Sequence, residues 1–218
     1  MKIDRAIAGR ALLTVALVVA LIVVDQWVKV WIKTHMTLHE CINVLSWFKI
    51  AFIENSGMAW GLNLGSKLVL SIIRVVLIVW IAIYTVRLVR AREKWGYLVC
   101  MALITAGAMG NIIDGMFYGL IFTESTPWSV AEMVPWGTGY ADFMMGKVVD
   151  MLYFPLIVTQ WPQWIPMVGG NDFVFFSPIF NIADSSISVG VVVLLLFYRR
   201  TLMTSDMPGI KLRAKKEE

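Results

Sequence analysis

The chain has 218 residues, of which 59% are hydrophobic and 16% charged, with a mean hydropathy of +0.74. This excludes an ordinary soluble globular domain and makes lipid the expected solvent. The formal net charge of +4 calls for no nucleic-acid partner, because its basic clusters fall where a membrane topology needs them.

A bilayer core about 30 Å thick takes roughly 20 apolar residues per helix, and four such segments follow in order: about 11–32, 68–89, 97–117 and 178–198. The first does not read as a cleaved leader. Its apolar run continues into Asp25-Gln26-Trp27-Val28-Lys29 with no small-x-small cleavage site, so it reads as a retained helix. Lys2, Arg5 and Arg10 precede it, Arg87, Arg90, Arg92 and Lys94 separate the second and third segments, and Arg199, Arg200, Lys211, Arg213, Lys215 and Lys216 follow the fourth. By the positive-inside rule both termini are cytoplasmic, and loops 34–67 and 118–177 face the opposite compartment. Residues 1–200 read as one membrane core and 201–218 as a flexible cytoplasmic tail.

In the first external loop, Trp47 to Ile53 is rich in strand formers and ends at the turn signal Glu54-Asn55-Ser56-Gly57, which suggests a small hairpin or sheet edge. The second external loop is dense in Trp, Tyr, Phe and Pro, as at the headgroup level. It reads as an interfacial segment that also shapes access to a site. Cys41 and Cys100 fall on opposite sides of this topology, too far apart for a disulfide.

Ionisable residues within apolar helices are costly and mark function or pairing. Asp25 and Lys29 share a helix face at i,i+4 and pair near its external end. Asn111 and Asp114 are three apart on the third segment, after Gly107 and Gly110, which permit close helix approach. Asn181 and Asp184 repeat that spacing at the start of the fourth, where the helix dipole also favours a carboxylate. Asp150 stands in an apolar stretch, Val148 to Phe154, where a solvated loop acid is unexpected. Two carboxylates held close share a proton, so one activates water while the other protonates a carbonyl, which is the chemistry of amide hydrolysis. His35 and His39 have no HExxH pattern, and the serines lack a histidine partner.

In order, Asp25–Lys29, Asn55-Ser56-Gly57-Met58-Ala59-Trp60-Gly61, Gly107–Asp114, Gly146-Lys147-Val148-Val149-Asp150 and Phe180-Asn181-Ile182-Ala183-Asp184-Ser185 resemble the five motifs of the lipoprotein (type II) signal peptidases. The resemblance covers nearly the whole membrane core. It implies an all-α membrane protein of four transmembrane helices, with a small periplasmic β-sheet and a mobile periplasmic segment. It implies Asp150 and Asp184 as catalytic pair, with Asp25, Lys29, Asn55, Gly57, Asn111, Asp114 and Asn181 supporting the site or its substrate. The implied reaction removes the signal peptide of a diacylglyceryl-modified prolipoprotein just before its lipid-modified cysteine. It takes place in the inner membrane near the periplasmic face, needs no cofactor or metal, and requires nothing beyond a monomer and membrane lipids.

Two positions depart from the family pattern. Gly115 stands where the family usually has Arg, so that arginine's role is absent or transferred elsewhere. Asp142, in Ala141-Asp142-Phe143, competes with Asp150, whose Gly-x-Val-x-Asp context is the better match. The rival function is a small proton- or ion-coupled transporter, since intramembrane Asp and Asn also line ion paths. Against it, the acids gather at the external helix ends, whereas transporter sites lie near the midplane.

Overall fold

The computed structural model describes residues 4–56 and 67–204. Its framework is set by helices α1 (Arg5–His35), α2 (Lys67–Arg90) and α3 (Trp95–Ile113). A π-helical turn, Asp114–Tyr118, and a last short turn α4, Gly119–Ile121, prolong α3. Three helical spans are therefore long and apolar enough to cross a membrane: Arg5–His35, Lys67–Arg90 and Trp95–Ile121. Their outward side chains, such as Leu12, Val76 and Val79, are exposed and apolar, as a lipid-facing surface requires.

α3 is the central helix, packed on α1, α2 and the later helix α5 (Ile182–Phe197). α5 approaches so closely that a side chain at Gly107 would run into the carbonyl oxygen of Ala183. Its apolar run is shorter than the expected 178–198 because Ile179–Phe180 is extended, and the Asn181 cap fixes the helix start. A further short helix, α6 (Arg199–Thr204), follows.

The extended segments are β1 (Cys41–Leu45), β2 (Phe48–Asn55), β3 (Val148–Tyr153), β4 (Ile157–Gln160), β5 (Asp172–Phe175) and β6 (Ile179–Phe180). Four form one sheet in the order β1-β2-β3-β6, antiparallel throughout. The expected hairpin is β1–β2. The second long loop contributes the sheet's inner strand β3 and a separate β4–β5 hairpin.

Two cores stabilise the molecule at its two ends. One, containing Ile32, Phe52, Tyr118, Phe122, Val149 and Met151, joins the sheet to the ends of α1 and α3. The other includes Tyr84, Leu88, Tyr97, Leu98 and Leu194. At that end Arg10 donates to the Glu93 carbonyl at 3.0 Å and stacks on Trp95, and Asp4 pairs with Arg92. The N-terminal segment and the α2–α3 connection thus lie together, opposite the sheet.

Candidate active site

Strand register delivers the first part of the site. Across the β2–β3 pair, Ile53 faces Asp150 and Asn55 faces Val148, so Asn55 and Asp150 lie on one face as diagonal neighbours. The intervening residues Glu54 and Val149 point to the other face. The strand is placed by Gly146, whose amide donates to the Gly115 carbonyl at 2.8 Å. A Cβ there would strike the Asp114 carbonyl oxygen, so only glycine lets the chain enter β3 against the end of α3.

The β3–β6 pairing then brings the start of α5 beside Asp150. Asn181 caps α5: its side-chain oxygen accepts from the Asp184 amide at 2.9 Å, and the Asp184 carboxylate accepts from the Asn181 amide at 3.3 Å, which completes a capping box. Asn181 Nδ2 donates to Asp150 Oδ1 at 2.7 Å. One asparagine therefore fixes both acids. Asp25 strengthens the same helix end from α1, with Oδ1 accepting from the Ala183 amide at 2.9 Å.

Beneath the two acids lies a buried charge cluster. Lys29 is fully buried and its Nζ lies 2.9 Å from Asp25 Oδ2 and 2.8 Å from Asp114 Oδ2. Gln26 also donates to Asp114, at 2.8 Å, and Asp114 accepts from the Val149 amide at 3.3 Å. A lone buried charge would be prohibitive, but here each charge has an opposite partner and further hydrogen bonds. The third donation of Lys29, to Asn111 Oδ1 at 2.9 Å, leaves Asn111 Nδ2 to donate to Asp184 Oδ1 at 2.7 Å.

Asp150 and Asp184 line one cavity of about 390 Å³. Asn55, Asn111 and Arg74 supply its other polar groups, and Leu77, Ile78, Ile104 and Ile187 are among its apolar walls. Burial, reinforced by the neighbouring Asp184 charge, pushes the Asp150 carboxyl up to about 7, against the opposing pull of Asn181, Lys29 and Asn55. An acid still holding its proton near neutrality beside a second carboxylate is equipped for general acid–base work.

Every expected site residue among the described ones joins this network: Asp25, Lys29, Asn55, Asn111, Asp114, Asp150, Asn181 and Asp184. Gly57 lies outside the described residues. Asp114, which needed a partner, has Lys29. Asp142 is exposed and outside the cavity wall, whereas Asp150 is 4% exposed and within it.

Three features were not anticipated. Gln26 bridges Asp25 and Asp114. Fully buried Lys33 pairs with Glu54 and donates to Ser125 at 2.8 Å, while Lys147 lies 3.4 Å from Glu54. This second charge cluster ties α1 to β2 and the long loop. Arg74 lines the cavity from α2 and borders a smaller cleft with Gly115. The signals were present in the sequence: Lys33 extends the Asp25–Lys29 row by one more i,i+4 step, and Arg74 interrupts an apolar span.

Two carboxylates on one cavity, at the end of an apolar helical bundle, are the equipment of a membrane-embedded acid–base hydrolase. Residues 17–200 match the signal peptidase (SPase) II family, and the chain belongs to that family, whose members are aspartic peptidases acting on prolipoproteins. It is 49% identical over 170 residues to a lipoprotein signal peptidase of Porphyromonas gingivalis, covering 78% of this chain and 75% of that one. It is 34% identical over 165 residues to a lipoprotein signal peptidase of Amoebophilus asiaticus, covering 72% and 64%. A bacterial membrane enzyme solved by the in meso method at 2.3 Å resolution shares the fold, with a TM-score of 0.59 and 23% identity over 91% of this chain and 94% of that one. A second, at 1.9 Å resolution, has a TM-score of 0.57 and 24% identity over 85% and 93%. The multi-pass membrane fold stands, and the transporter reading gives way to a peptidase.

Proposed function

We propose that Asp150 and Asp184 are the catalytic dyad, and that the enzyme cleaves diacylglyceryl-modified prolipoproteins just before the lipid-modified cysteine. The single observation that carries this reading is that Asn181 and Asn111 hold the two carboxylates on one cavity. In the resting pair Asp150 carries the shared proton. Asp184 takes a proton from water as its oxygen attacks the scissile carbonyl carbon, and Asp150 gives its proton to the carbonyl oxygen. The tetrahedral diol then collapses: Asp150 takes back a proton from a diol hydroxyl, Asp184 gives its proton to the cysteine nitrogen, the C–N bond breaks, and the signal peptide leaves with a new carboxyl terminus.

The apolar wall of the cavity suits the signal-peptide and acyl portions of such a substrate, Asn55 offers an amide to its backbone, and Asn111 orients Asp184. Asp25, Lys29, Asp114 and Asn181 hold the machinery in place without contacting substrate. Gly57 belongs to the same set through its motif. The donors and acids need no metal or cofactor for this chemistry, and a monomer contains the whole site.

α5 is the fourth membrane span, short because the sheet occupies the membrane boundary at its start. The basic residues Arg10, Arg87, Arg90 and Arg92 cluster opposite the sheet, which supports cytoplasmic termini and a site at the periplasmic face of the inner membrane. The exposed Trp128, Trp136 and Trp164 suit that interface.

The test uses reconstituted protein and a diacylglyceryl-modified precursor. Asp150→Asn and Asp184→Asn should each abolish cleavage while the protein remains folded. Full activity in either variant removes the dyad assignment.

A further inference from the structure

Arg74 sits between Ile72, Ile73, Val75 and Val76 in α2, where an arginine facing lipid is costly. It instead lines the cavity with Asp150 and Asp184, and the Asp184 carboxylate acts on its guanidinium electrostatically. It is the one cation among the described residues that line this cavity.

Every charged group packed around the acids enters the balance. From α1 come Asp25 and Lys29, and from the end of α3 comes Asp114. These two carboxylates already share the single ammonium of Lys29. On the far face of the sheet, Glu54 is met by Lys33 and Lys147, and Lys67 donates to the Met145 carbonyl at 2.7 Å. Lys29 pulls on Asp150 from beneath but is shared between Asp25 and Asp114, and the other lysines are committed behind the sheet, so the cation that faces Asp184 comes from α2.

We propose that Arg74 is a positioning residue of the peptidase site, the counter-ion that holds the Asp150–Asp184 pair in its singly protonated, working form. This deepens the dyad reading and rests on it. Without the guanidinium, the pair retains both protons to higher pH, and a doubly protonated pair has no base for water.

Gly115 offers a second anchor for the same charge. It borders the small cleft that Arg74, Ser71 and Asn111 also line, and a Cβ built on it meets nothing within 4 Å. An arginine placed there enters open space beside Arg74.

The experiment compares pH–rate profiles for cleavage of a diacylglyceryl-modified precursor by wild type, Arg74→Met, Arg74→Lys and the double variant Arg74→Met/Gly115→Arg. In parallel, carboxyl protonation is titrated by infrared difference spectroscopy, with the bands assigned through their loss in Asp150→Asn and Asp184→Asn. The acid limb should move up by about 1–3 pH units in Arg74→Met, stay in place in Arg74→Lys, and return towards wild type in the double variant. The infrared titration should move with it. An unmoved acid limb in Arg74→Met, whether activity is kept or lost evenly at every pH, overturns the proposal. Should Arg74→Met fail to fold, an acid limb in the double variant unlike that of wild type overturns it. Retained activity in Asp150→Asn or Asp184→Asn defeats the dyad reading separately. The infrared bands then still report on Arg74, and their failure to shift in Arg74→Met defeats the counter-ion role on its own.

Discussion

Lys29 Nζ donates to Asn111 Oδ1 at 2.9 Å, and this bond decides which way the Asn111 amide faces. An ammonium has donors only, so the asparagine must present its oxygen to Lys29 and its NH₂ to Asp184, where Nδ2 donates at 2.7 Å. A cation that touches neither member of the proposed dyad thereby orients one of them.

Lys29→Met should therefore lose activity together with stability. It strands Asp25 and Asp114 without their shared cation, a loss of about 3–5 kcal/mol for a broken buried pair. Thermal unfolding in detergent, measured beside precursor cleavage, checks both. An unchanged melting temperature contradicts the account of the cluster.

Asn111→Leu separates orientation from charge. The ion pairs of Lys29 with Asp25 and Asp114 remain, but Asp184 loses its side-chain donor. Cleavage should fall by about 100-fold, the scale of a misplaced reacting group, with the larger share in kcat. A change confined to KM would instead make Asn111 a substrate contact.

The pH dependence follows from Asp150. Its carboxyl is pushed up from 3.8 to about 7, first by burial and then by Asp184. Between those values the folded protein binds more protons than the unfolded chain, so stability falls as pH rises through that window and levels off above about 7. Cleavage should decline above about 7 as the general acid is lost. Melting curves across this range should show the slope in wild type and a flatter response in Asp150→Asn.

Gly146→Val tests the placement of β3. A side chain there collides with the Asp114 carbonyl, and overpacking of this kind costs about 1–3 kcal/mol. The strand must shift, carrying Asp150 with it, so precursor cleavage should drop more than the melting temperature suggests.

Asp142→Asn is the matched control. Its side chain is exposed and outside the cavity wall, so cleavage of the precursor should match wild type. Loss of activity in this variant alone would move the catalytic assignment away from β3.

The chemistry-bearing residues were legible because acids and amides in apolar surroundings are conspicuous, and their order carried the family resemblance. The preference for Asp150 over Asp142 rested on its glycine and valine context, and the collision awaiting any side chain at Gly146 gives that context a physical reason. The strand around Asp150 was not legible. Val148 to Tyr153 has a buried inner-strand composition without alternation, which short apolar runs share with helices. Arg74 was hidden inside a helix read by its average hydropathy. The start of α5 was misjudged by four residues because Ile179 and Phe180 are as apolar as the helix. The Asn181–Asp184 capping box marks the true boundary.

The contact from Asp25 to the Ala183 amide joins residues 158 positions apart, near opposite ends of the working chain. During synthesis the carboxylate is delivered with the first helix and its amide partner with the last. A nascent chain that ends before α5 contains Lys29, Asp25 and Asp114 but neither Asn181 nor Asp184. With Asp150 and Asp184 as the proposed dyad, a product of translation that ends before α5 lacks one of the two acids and the asparagine that holds them both.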